Sequence, residues 1–128
     1  MRAIDTNVLV RLLARDDVKQ TAAAERFVAG GAWVSHLVLV ETTWVLSSVY
    51  ERDATNIADV LAVLLEHESL VIQEPDVVAR ALASFVERPA LGFSDCLIVE
   101  TARKAGHLPI GSFDRALSRF DDVEKLKG

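Results

Sequence analysis

Residues 2–13, Arg2-Ala3-Ile4-Asp5-Thr6-Asn7-Val8-Leu9-Val10-Arg11-Leu12-Leu13, decide the fold class. Residues 2–4 read as a short strand that ends at Asp5-Thr6-Asn7. Val8, Leu9, Leu12 and Leu13 then recur with the spacing of a helix. The same alternation continues outward from this start. A second helix over about 18–29 stops at Gly30-Gly31, a strand covers 32–34, and Ser35 caps a long helix through Tyr50. A helix at 55–67 precedes a strand at 70–73, and Pro75 opens a helix over 76–87. Gly92-Phe93-Ser94 starts a helix that ends near Gly106. A short strand at 109–110, a brief helix after Asp114 and a final strand near 123–126 close the chain. Alternating strands and helices predict an α/β fold: one domain spanning 1–128, with a central parallel sheet of four to five short strands and helices on both faces. In such sheets, sites form outside the carboxyl ends of the strands.

Composition is consistent with a folded core. The 128 residues are 51% hydrophobic and 26% charged, which excludes a disordered chain. The single cysteine, Cys96, excludes an intramolecular disulfide and fits a reducing compartment. Asp5 interrupts any secretory core at the amino terminus, and the longest apolar run, 60–65, is too short to span a bilayer, so a cytoplasmic protein that makes no membrane contact is expected. The net charge of −5 speaks against bulk electrostatic binding of nucleic acid. If four of the 19 acids are metal ligands, however, the rest nearly balance the 14 bases, and the argument loses its force.

Four acids stand out by position. Asp5 and Asp114 each follow a strand directly, where a helix cap or turn residue is the plain alternative. Glu41 has Leu37, Val38, Trp44 and Val45 as its helical neighbours, and on that stripe it is expected to be buried and to need a partner. Asp95 opens an apolar helix with Ile98 and Val99 on its face, so an acid favoured by the helix dipole and an inward-facing ligand are both open. Glu100, with Arg103 and Lys104 ahead of it, reads as a surface ion pair. Four converging carboxylates repel unless a hard divalent cation joins them, which points to metal-assisted attack of water on a phosphodiester. Other chemistries lack support. His36, His67, His107 and Cys96 share no zinc spacing, no Gly-rich phosphate loop is present, Ser35, Ser47 and Ser94 form no nucleophile elbow, and Trp33 and Trp44 read as core.

Taken together, Ile4-Asp5-Thr6-Asn7, Val40-Glu41, Phe93-Ser94-Asp95-Cys96-Leu97-Ile98 and Gly111-Ser112-Phe113-Asp114 resemble the motifs of a PIN-domain ribonuclease, specifically the toxin subunit of a VapBC-type toxin–antitoxin pair. The resemblance covers nearly the whole chain. It implies an endoribonuclease dependent on Mg²⁺ or Mn²⁺ that inhibits translation, typically a homodimer, neutralised by a small antitoxin whose tail enters the acidic groove. It carries the metal-ligand and catalytic roles onto Asp5, Glu41, Asp95 and Asp114, and supporting polar roles onto Thr6, Asn7 and Ser112, the last often threonine in relatives. Arg11 and Arg115 are placed to contact phosphate or to be solvated charges. Rival readings are a housekeeping RNA-processing nuclease of the same family and a non-catalytic acidic interaction module. A phosphatase with Asp5 as nucleophile is a third, although Asn7 stands where that chemistry wants a second acid.

Overall fold

The computed structural model describes residues 1–128, and the backbone divides into two compact units, Met1–Pro75 and Asp76–Gly128. Helices and short parallel strands alternate in both, so the α/β class holds.

The first unit contains α1 (Thr6–Ala14), α2 (Val18–Val28), β1 (Ala32–Val34), α3 (His36–Ser48), α4 (Ala54–Glu66) and β2 (Leu70–Ile72). Each helix starts on a side-chain cap. Asp5, Asp17, Ser35 and Asp53 accept hydrogen bonds from the amides of Val8, Gln20, Val38 and Asn56, which satisfies donors a helix start otherwise leaves open. β1 and β2 pair in parallel, with Ala32 opposite Leu70 and Val34 opposite Ile72. The expected amino-terminal strand is reduced to a single parallel bridge between Ala3 and Trp33, held by Trp33 N–H to the Arg2 carbonyl at 2.8 Å and Ile4 N–H to the Trp33 carbonyl at 3.2 Å. α1 packs on α2 and α3 and buries Leu9 and Val10, while Leu39, Leu46 and Leu61 are buried from α3 and α4.

The second unit contains α5 (Pro75–Glu87, entered from the boundary), α6 (Phe93–Ala105), β3 (Ile110–Ser112) and β4 (Val123–Lys125), with 3-10 turns at Pro89–Leu91 and Leu117–Arg119. β3 and β4 are parallel partners. Phe85 of α5 meets Phe93 of α6 edge to face, centroids 6.3 Å apart, an arrangement aromatic quadrupoles favour. Val99, Leu117 and Val123 form a buried cluster with Ile110 and Phe120 against it.

Hydrogen bonding therefore gives two two-stranded sheets and a bridge where four to five strands of one sheet were expected. Each strand is only three residues long, so ladder pairing, a tertiary matter, sets the count more than local sequence does.

Candidate active site

Asp5 ends the bridge segment and caps α1. Its Oδ1 accepts from Val8 N–H at 3.1 Å, and Oδ2 has no protein donor. The cap reading is thus correct without exhausting the side chain, because a carboxylate has lone pairs for more than one partner. Thr6 and Asn7 form the first turn behind it, Asn7 exposed and Thr6 half-buried.

Glu41 lies elsewhere than its stripe implied. It is exposed, and so are Leu37 and Trp44, each 67% accessible. The buried face of α3 is Leu39, Thr42, Thr43 and Leu46, also at helical spacing. Two threonines occupy core positions, with Thr43 Oγ1 donating to the Val40 carbonyl at 2.7 Å, and apolar residues occur all round the helix. Periodicity alone could not tell which face was covered. Glu41 consequently needs no buried partner, and no Lys or Arg pairs with it. Trp44 leaves the expected core for the same reason, and Trp33 is more than one-third exposed on a strand whose neighbours Ala32 and Val34 point inward.

In the second unit, Gly92 adopts a left-handed φ of 80° where α6 begins, a conformation glycine tolerates without strain. Asp95 follows in the first turn, half-buried and without a hydrogen-bond donor. Asp114 sits two residues past β3. Its Oδ1 accepts from Ala116 N–H at 2.8 Å and more weakly from Leu117 N–H at 3.4 Å, leaving Oδ2 open. Ser112 sets this loop, because its hydroxyl accepts from Asp114 N–H at 3.0 Å. Burial raises the Asp95 pKa above the usual carboxylate range, and the nearby negative charge of Asp114 adds to the effect. These two acids are brought together although 19 residues separate them in sequence. Within neither unit do three or more His, Cys, Asp or Glu side chains ring a common point.

The neighbours of Asp95 explain a second difference. Glu100 is buried, 7% exposed, not a surface acid. It receives a 2.6 Å hydrogen bond from Arg103 Nη1, whose Nε donates to Asp122 and whose guanidinium lies 5.6 Å from the centroid of the Phe120 ring. Burial opposes the charge on Arg103, but its bonds to Asp122 and Glu100 outweigh that and raise its pKa. Lys104, the other expected partner, pairs with Asp76 at 2.9 Å. Asp122, which completes the network, comes 19 residues after Arg103, so the i+3 spacing alone could not show it. Cys96 is fully buried, and burial, with Asp95 and Glu100 adding, pushes its thiol up to about 11; it remains an unreactive thiol.

Arg11 is held in place by a side-chain network. Its guanidinium donates to Gln20, to Asp16 at 3.2 Å and to the Tyr50 hydroxyl at 3.3 Å, and that hydroxyl donates to Asp16 at 2.8 Å. Asp16 is held below the usual carboxylate range chiefly by Tyr50. No sequence spacing signals this network: Asp16, Gln20 and Tyr50 lie five, nine and 39 residues beyond Arg11 and meet it only in the fold.

No helix is long and apolar enough to cross a membrane. A protein-family model described as PIN domain matches residues 3–123, nearly the whole chain and across both units. Neither curated proteins nor solved structures give a significant match. The chain belongs to the PIN domain family.

Proposed function

Taking that membership as the premise, we propose that this protein is a divalent-metal-dependent endoribonuclease, the toxin of a toxin–antitoxin pair. PIN domains as a family are metal-dependent nucleases that act on RNA. The observation that carries the reading for this chain is that Asp95 and Asp114, two motif carboxylates of the second unit, each keep oxygens free of any protein donor and pair with no base. Like charges so placed fit a hard cation, which prefers oxygen donors and offsets their repulsion.

Asp95 and Asp114 would hold the ion, Asp114 through the Oδ2 its turn leaves open. The motif resemblance assigns metal-ligand roles also to Asp5, through its open Oδ2, and to the solvated Glu41 carboxylate of the first unit. Ser112 fixes the Asp114 loop, and Thr6 and Asn7 support the Asp5 turn. When bound, Mg²⁺ or Mn²⁺ supplies charge neutralisation at phosphate and lowers the pKa of nearby water. An unpaired carboxylate oxygen of this set accepts the proton of the attacking water. A P–O bond forms, the bond to the leaving ribose oxygen breaks, and that oxygen takes up a proton. The motif resemblance carries over the biological assignment, a homodimer silenced by a small antitoxin; unpaired Glu41, Asp95 and Asp114 suit the basic tail of such an antitoxin.

The test is incubation of pure protein with single-stranded RNA, with Mn²⁺ or with EDTA. Cleavage that needs Mn²⁺ and is lost in Asp95→Asn is expected. Metal-independent cleavage, or no cleavage by the wild type, rejects the enzyme reading. Growth arrest on expression, relieved by the gene next to it, distinguishes a toxin from a housekeeping nuclease.

A further inference from the structure

The first unit carries a cleft of about 400 Å³ whose walls include Asp5, Asn7, Arg11, Gln20, Ala23 and Phe27. Its origin is local. Gln20, Ala23 and Phe27 lie three and four residues apart on one face of α2, opposite Asn7 and Arg11 on α1. Ala23 is too small to fill the space between the packed helices, so the groove stays open. Its volume suits one small ligand and lies at the lower end of the usual range of binding pockets.

The polar groups of the cleft are fixed before any ligand arrives. An arginine can only donate, so the 2.5 Å bond from Arg11 Nε places the carbonyl oxygen of Gln20 against the guanidinium and leaves the Gln20 amide NH₂ as a donor. Arg11 spends Nε and Nη1 on Gln20, Asp16 and Tyr50, and its Nη2 has no protein acceptor. One rim therefore offers spare N–H donors on a rigid base. Phe27 makes an apolar wall, stiffened by Arg2, whose guanidinium lies 3.7 Å from its ring centroid and whose Nη2 donates to the Phe27 carbonyl at 3.1 Å. Asp5, assigned above as a cation ligand, is part of the same cleft.

We propose that this cleft is a subsite for one unpaired RNA base, and that it selects a base with paired acceptors, guanine ahead of adenine. The proposal rests on the nuclease reading and adds a source of sequence preference to it. A flat ring with one hydrogen-bonding edge matches a slot with one apolar wall and one donor rim. Guanine presents N7 and O6 side by side to such donors, whereas adenine places its own N–H₂ there. Stacking on an aromatic wall and hydrogen bonds to a base edge add affinity that does not depend on the net charge of the chain.

Ala23→Phe tests this by filling the cleft from an exposed position. Two measurements are made on the wild type and the variant. In EDTA, the four nucleoside 5′-monophosphates are titrated by amide NMR. With Mn²⁺, cleavage of a randomised single-stranded RNA is mapped and its KM and kcat are separated. Shifts of Asn7, Gln20 and Ala23 amides with GMP, weaker with AMP and absent in the variant, are expected. So are a KM at least tenfold higher and a loss of cleavage-position preference in the variant. Equal KM and an unchanged cleavage pattern overturn the proposal and leave the cleft to a protein side chain. Should the wild type cleave no RNA at all, the nuclease reading fails separately, and the titration still decides whether the cleft takes a base: no shift with any nucleotide overturns it.

Discussion

Replacing Arg103 by Met removes a charge while keeping most of the stem that covers Phe120, and the consequence can be worked from the network. Glu100 is 93% buried and its one hydrogen-bond donor is Arg103. Breaking a buried pair by deleting one member costs about 3–5 kcal/mol, because the remaining charge is uncompensated. Asp122, one-third exposed, adds less than about 1 kcal/mol. Urea unfolding at pH 7 should therefore show Arg103→Met destabilised by about 3–5 kcal/mol. Glu100→Gln in the Arg103→Met background removes the stranded charge and should recover at least about 2 kcal/mol at pH 7. A loss under about 1 kcal/mol at pH 7 would refute the view that Glu100 is cut off from water.

Other outcomes follow from the acids. Asp95→Asn should raise the stability of the metal-free protein. A carboxyl whose folded pKa lies above its unfolded value weakens the fold progressively as pH rises between the two, so the gain should be absent near pH 3 and constant at neutral pH, read by thermal melts across that range. In wild type, Mn²⁺ at ten times its Kd should add about 1.4 kcal/mol, a rise of about 5 °C for a chain this size, reversed by EDTA and absent in Asp95→Asn. For Asp5 the two roles separate. Asparagine caps a helix as well as aspartate, so Asp5→Asn should melt within about 0.5 kcal/mol of wild type, while Asp5→Ala loses about 1 kcal/mol. Both should lose cleavage at least about 100-fold, more than is typical for a supporting residue, and equal activity in Asp5→Asn would remove Asp5 from the site. Glu41→Gln, at a solvated position, should leave stability within about 0.5 kcal/mol and abolish cleavage; substantial unfolding would make Glu41 a structural residue.

What could be read from the chain was what neighbours in sequence control. Ser35 and Pro75 announce helix starts, and the helical runs end within a residue or two of their expected limits, because caps and the 3.6-residue repeat act over a single turn. The four motif acids were visible for the same reason, each placed just past a strand or on a helix turn. What the tertiary structure decided were the facts that depend on what lies opposite. α3 is apolar on every side, so only packing could put Thr42 and Thr43 inside and Trp44 and Glu41 outside. Glu100 reads as a surface acid until Phe120 and Asp122 close over Arg103. Three-residue strands carry too little pattern to specify their partners, and the approach of Asp114 to Asp95 is set by where a loop returns after 19 residues. Local chemistry writes the elements because a helix turn or a cap spans few bonds; burial, pairing and charge contact belong to distant segments, whose meeting costs loop entropy and is decided only by the whole fold.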